Sequence, residues 1–140
     1  MIDGRIFDLT YAVDFLCSIG TPIKAAEKGI VVEKMEGVTV NYDKPEPPPE
    51  HVLPSKYQDG NYVINYVIIK HENEEYSMYS HLSEVVVNVE EMVKEGQIIG
   101  YSGHTEWSIK PHLHFVVFKP IFQDYTDGWE SLEIRWYDKL

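Results

Sequence analysis

Cysteine is almost missing from this chain. Cys17 is the single one among 140 residues, so no intrachain disulfide can form, and its apolar surroundings predict a buried, reduced thiol. Basic residues are also scarce, with 12 Lys and Arg against 23 Asp and Glu, which gives a formal net charge of -11 and a pI near 4.8. Such a surface excludes unspecific attraction to nucleic acid, anionic lipid or phosphate-rich wall polymers, all of which are negative. The expected partners are neutral, basic or metal ions. Long apolar runs are missing too. Nothing approaches the roughly 20 residues that span a bilayer, and Met1 to Asp8 carries charges where a secretory leader needs about seven to fifteen apolar residues. The chain as given therefore reads as cytoplasmic and not inserted in a membrane, with an extracytoplasmic location the alternative if a leader has been removed.

What is present is enough to form a core. Hydrophobic residues make up 44% and aromatic residues 13% of the sequence, adequate apolar mass for one domain covering residues 1–140. β-Branched and aromatic residues recur in short runs separated by turn residues, which predicts an all-β, antiparallel domain with little helix. Strands are expected at Ala12 to Phe15, Gly29 to Met35, Val38 to Tyr42, Tyr62 to Lys70, Glu75 to His81, Ile98 to Ser102 and His112 to Lys119. His71-Glu72-Asn73-Glu74 reads as a hairpin turn. Ser83 to Glu91 has a capping serine and room for a short helical turn, opposed by three consecutive valines. The proline-rich stretch of about 43–60 reads as a surface insertion. The aromatic extension of about 119–140 reads as a packed cover over the core.

The chemistry concentrates in Pro111-His112-Leu113-His114-Phe115. Alternate residues of a strand leave the same face, so both imidazoles enter one site. Neutral imidazole is a zinc ligand and also a base near neutral pH, so the pair suits a metal centre in which one ring ligates and the other moves protons.

Read with its flanks, the stretch resembles a known family. Tyr79-Ser80-His81-Leu82, Val93-Lys94-Glu95-Gly96-Gln97-Ile98-Ile99-Gly100 and Pro111-His112-Leu113-His114-Phe115 occur in the order of the lysostaphin-like, LytM-type zinc metallopeptidases. Ala12-Val13-Asp14-Phe15 and Gly20-Thr21-Pro22-Ile23 are similar to that family's His-x-Gly-x-Asp segment and the turn after it. The resemblance covers roughly residues 10 to 118. It implies a duplicated-hairpin β fold, zinc held by Asp14 and His114, and His81 and His112 acting on the bound water and the transition state. Three protein ligands would leave a fourth position for water, whose pKa zinc lowers to about 7.

The sequence departs from the pattern at Thr10, where the family has its first zinc histidine, and at Ala12, where it has glycine. A hydroxyl is a poor zinc ligand, so Asp14 and His114 alone make a two-ligand site. Glu106 and Lys110 stand where the family's cleft loop usually has glycines. His104, His71, His51, Asp3 and Asp8 are the available replacement donors, with His104 ranked first because its loop leads into the histidine strand.

Two functions follow from the resemblance. One is a zinc endopeptidase acting on short or glycine-rich peptides such as peptidoglycan cross-links, with an impaired or rearranged metal site. The other is a catalytically inactive homologue whose cleft binds a peptide or protein partner. A carrier domain is the third alternative, suggested by the turn at Val93 to Gly100, but the Asp-Lys or Met-Lys-Met tip for a covalent cofactor is missing.

Overall fold

The computed structural model describes residues 8–36, 41–42, 65–103, 106–107, 112–121 and 124–134. Alternation organises it. Along β11 (His112–Pro120), Leu113, Phe115 and Val117 leave one face and His114, Val116 and Phe118 the other. This strand pairs antiparallel with β1 (Val13–Leu16), β6 (Tyr76–Ser80) and β12 (Trp129–Ser131). Beyond β6 the sheet continues through β5 (Tyr66–Lys70) and β3 (Gly29–Met35) to β8 (Met92–Val93), in the order β1-β11-β6-β5-β3-β8. A second sheet has the order β2-β9-β7, from Pro22–Lys24, Ile98–Ser102 and Leu82–Val85. A parallel pair joins β4 (Asn41–Tyr42) to β10 (Glu106–Trp107). Among the described residues there is no α-helix, only 3-10 turns at Glu72–Glu74 and Tyr125–Asp127.

The two sheets enclose one core between them. Val31, Val67, Ile69, Tyr79 and Phe115 come from the large sheet, and Ile23, Leu82, Val85 and Ile99 from the small one. Close approach of the backbones is needed there: a Cβ on Gly100 would stand 2.4 Å from the Glu84 carbonyl oxygen. The opposite face of the large sheet has its own cluster of Ile68, Tyr76, Val116, Phe118 and Trp129. Trp129 stacks on Phe118 at 4.1 Å, and Tyr125 lies 4.8 Å from Tyr76. The C-terminal segment thus covers one end of this face through Trp129 and Tyr125, while Trp136 and Tyr137 lie outside the described residues.

Two expected strands, Gly29–Met35 and Ile98–Ser102, match to the residue, and β1, β5, β6 and β11 differ only at their ends. Val38 to Val40, Tyr62 to Ile64 and the proline-rich insertion lie outside the described residues. The turn after β5 is present, with Asn73 and Glu74 at φ of 62° and 58°. The sequence reading missed β2, β7, β8, β10 and β12, which have two to four residues each, too few for alternation to register. The short turn expected within Ser83 to Glu91 lies at Val89-Glu90, where Glu91 N donates to Asn88 O, and not at Ser83: Leu82–Val85 is extended, and Val85 and Val87 are buried in the inter-sheet core. Packing of the valines overrides the cap signal. Cys17 is only partly buried, a correction to the fully buried thiol expected.

Phe118 has no solvent exposure and is flanked by Trp129 and Tyr76. Phe118→Ala is expected to lower unfolding free energy by about 3–5 kcal/mol, read from urea denaturation. A loss below about 1 kcal/mol would show that the aromatic stack does not hold the C-terminal cover.

Candidate active site

The register of β1 on β11 sets Asp14 directly opposite His114 and Leu16 opposite His112. Asp14 Oδ1 accepts a hydrogen bond from His114 Nδ1 at 2.8 Å and lies 3.6 Å from His112 Nε2. Side-chain exposure falls from 59% at Asp14 to 23% at His114 and 13% at His112. The carboxylate therefore stands at the rim, with the rings set behind it.

His81 reaches the same place by another route. It occupies the corner where the chain leaves β6 for β7, moving from the large sheet to the small one, with φ of 67°. A left-handed conformation is uncommon outside glycine and costs about 1–3 kcal/mol, so surrounding contacts must impose it. Those contacts are present. Gly103 N donates to His81 O at 2.8 Å, Leu82 N donates to Asn65 O, and Asn65 Nδ2 returns a bond to Leu82 O. Gly103 approaches so closely that a Cβ would meet Ser83 N at 2.6 Å. The buried His81 ring lies 4.6 Å from that of His112 and 6.1 Å from that of His114. A carboxylate and three imidazoles thus share one end of the open sheet face.

Thr10 is turned elsewhere. Its hydroxyl and its amide both donate to Asp8 Oδ1, and Asp8 Oδ2 accepts from Ser131 N and Oγ. Asp8 N also donates to Trp129 O, and the Trp129 indole Nε1 donates to Asp8 O. Asp8 therefore ties the segment before β1 to β12. The Thr10 hydroxyl and then its amide hold the Asp8 carboxyl well below the usual range, at about 2, against an opposing effect of partial burial and with Ser131 adding to the depression.

Among the other candidate donors, His71 is not a hairpin-tip surface residue. It is buried, with Nδ1 2.7 Å from Lys28 O and Nε2 2.7 Å from Ser77 Oγ, in a chain that continues to Tyr79 and Ala26 N. Its ring is part of the core. His51, His104 and Asp3 lie outside the described residues. No group of three His, Cys, Asp or Glu among the described residues is placed to hold one ion. The described donors alone do not complete a three-ligand zinc site; Asp14 and His114 are the two that would hold the ion.

The model of Peptidase family M23 matches residues 50–127. The chain belongs to peptidase family M23. Lysostaphin of Staphylococcus simulans is 38% identical over 105 residues, covering 75% of this chain and 17% of that protein. Glycyl-glycine endopeptidase ALE-1 of Staphylococcus capitis is 36% identical over 75% of this chain and 23% of its own length. Peptidoglycan DD-endopeptidase ShyA of Vibrio cholerae serotype O1 is 34% identical over 73% of this chain and 18% of its own. The chain spans less than a quarter of each of these relatives. The solved catalytic domain of lysostaphin, described as an antimicrobial peptidase, superposes with TM-score 0.58 at 29% identity, covering 91% of this chain and 83% of that one.

The M23 resemblance singled out Asp14, His81, His112 and His114, and the fold brings all four together. Two neighbours escaped the sequence reading. Asp8 was weighed only as a spare metal donor, although its side chain organises the entry to β1. Ser80 was passed over, although alternation along Tyr76, Met78 and Ser80 puts it on the face of the histidines.

Asp8 titrates near 4 when unfolded and near 2 when folded, so its stabilisation is complete above about pH 4 and disappears as pH falls toward 2. Asp8→Asn is expected to melt below the wild type at pH 7, with the gap closing between pH 4 and pH 2. A gap that stays constant across thermal melts in this range would contradict the assignment.

Proposed function

We propose that this M23 domain engages short or glycine-rich peptides, of the type found in peptidoglycan cross-links, in the cleft over Asp14, His81, His112 and His114. The observation that carries the reading is the Asp14–His114 hydrogen bond with the other two rings packed beside it. The printed activities of the relatives, glycyl-glycine and peptidoglycan endopeptidases, supply the substrate class. Metal chemistry in this site is impaired or rearranged: Thr10 stands where the family places its first zinc histidine and spends its hydroxyl on Asp8.

The remaining residues bind and orient. His114 donates from Nδ1 to Asp14, which fixes one edge of its ring. His112 and His81 add imidazole groups beside it, whose N–H donates a hydrogen bond to a peptide carbonyl and whose unprotonated nitrogen accepts one from a peptide N–H. A surface with net charge of -11 favours a neutral or basic peptide over an anionic polymer.

A catalytically inactive, peptide-binding homologue is the second reading, favoured by the incomplete donor set among the described residues. Elemental analysis of the protein and cleavage of an oligoglycine peptide separate the two. Stoichiometric zinc, lost in Asp14→Ala and His114→Ala, together with cleavage assigns an endopeptidase with a replacement ligand. Peptide binding without cleavage assigns the inactive homologue. Absence of both binding and cleavage refutes the proposal.

Thr10→His is expected to tighten zinc by about 100-fold by adding an imidazole to the two donors, measured by titration of chelator-stripped protein. Unchanged affinity would show that a histidine at position 10 keeps the orientation of Thr10, away from Asp14 and His114.

A further inference from the structure

A bulge in β3 puts a carboxylate on the same sheet face as the histidines. The register on β5 shifts between Val31 and Glu33, so Glu33 stands opposite Ile68. Ile68 belongs to the cluster on the open face of the large sheet, whereas unbroken pairing would set Glu33 opposite Val67, in the inter-sheet core. Bulges re-aim side chains in this way and are common next to active sites.

Tyr66 connects this carboxylate to the row of site residues. Pairing aligns Asp14, His114, Ser80 and Tyr66 across β1, β11, β6 and β5, and directly opposed residues share a face. The Tyr66 hydroxyl donates to Glu33 Oε2, and the Tyr125 hydroxyl donates to Oε1 at 2.7 Å. Burial, and then its bond to Glu33, push the Tyr125 hydroxyl well above its ordinary range, so it remains a donor. Two phenols thus converge on one half-buried carboxylate.

No cation of the fold meets that charge. Lys34, the next residue, bonds Glu36 and Asn88, and Lys70 pairs with Glu74. No Lys, Arg or His among the described residues pairs with Glu33. A carboxylate has about four acceptor positions, and the tyrosines take two of them. An ammonium carries three donors and the opposite charge, which suits the positions left over. Three strand spacings separate β3 from β11, about 14 Å, which an extended peptide covers in about four residues.

We propose that Glu33, held by Tyr66 and Tyr125, is an ammonium-binding subsite of the cleft, which selects peptides carrying a primary amine about four residues from the segment lying over His112 and His114. The amine is a chain terminus or a lysine side chain. This inference rests on the reading of the cleft as a peptide site and adds the charge of the preferred ligand.

The test is calorimetric titration of the full chain with pentaglycine amide and with its N-acetyl form. The wild type is expected to bind the free amine about tenfold more tightly, the fold-change of a hydrogen bond to a charged group. In Glu33→Gln the two peptides should bind within about twofold of each other. Glu72→Gln removes the same charge from the exposed turn after β5 and should keep the tenfold preference, which separates a local site from the general field of an acidic protein. N-acetyl-Gly-Gly-Gly-Gly-Lys amide identifies the source: recovery of tight binding assigns the lysine side chain as sufficient, and no recovery beside an intact free-amine preference assigns the chain terminus. Equal binding of the free and acetylated peptides by the wild type, which requires no variant to fold, overturns the subsite and leaves peptide engagement standing. A preference that survives in Glu33→Gln, or that vanishes equally in Glu72→Gln, overturns it as well. No binding of any of the three peptides overturns both the subsite and the reading on which it rests.

Discussion

The register of β1 on β11 is the constraint on which the site depends. A slip of one residue would send Asp14 to the opposite face of the sheet and remove its hydrogen bond to His114. Burial of β1 itself contributes little to this register, since Asp14, Phe15 and Leu16 are exposed. Anchors before the strand and one within it set it instead. Asp8 joins the incoming chain to β12, Tyr11 N donates to Ser131 Oγ, and Phe15 packs near Phe115 at 6.4 Å. Because β12 pairs β11, the clamp and the paired histidines His112 and His114 are referred to one strand.

The large sheet divides its labour by face. One face closes over the small sheet and supplies the inter-sheet core. The other carries an aromatic cluster at one end and the Asp and His residues at the other. Rigid strands beneath a polar cluster fix geometry better than loops do. His81 is the exception to regular backbone, and its positive φ is held by hydrogen bonds from Asn65 and Gly103. Strain of this kind persists where the surroundings impose it, and it commonly marks a working site.

Membership of M23 fixes the architecture, but family alone does not settle chemistry. In this chain Thr10, four residues before Asp14, commits its hydroxyl to the neighbouring Asp8 carboxylate. The Asp8 clamp takes up a structural task at the same point in the chain where the resemblance places a metal ligand. The start of β1 is held through Thr10 and Ser131 on Asp8.

The sequence by itself determined the strand composition, the turn after Lys70, the acidic surface and the motif order that brings Asp14, His81, His112 and His114 into one site. These are legible because alternation and turn chemistry are local, and because motifs identify residues one position at a time. Only the tertiary structure decided where Thr10, Asp8, His71 and Ser80 turn. Asp8 meets Ser131, 123 positions away, and Asp14 meets His114, 100 positions away. No local pattern reports such contacts. They exist because antiparallel pairing of distant segments sets side chains opposite one another, and the short strands β7 and β12 acquire their structure only from the neighbours that pair with them.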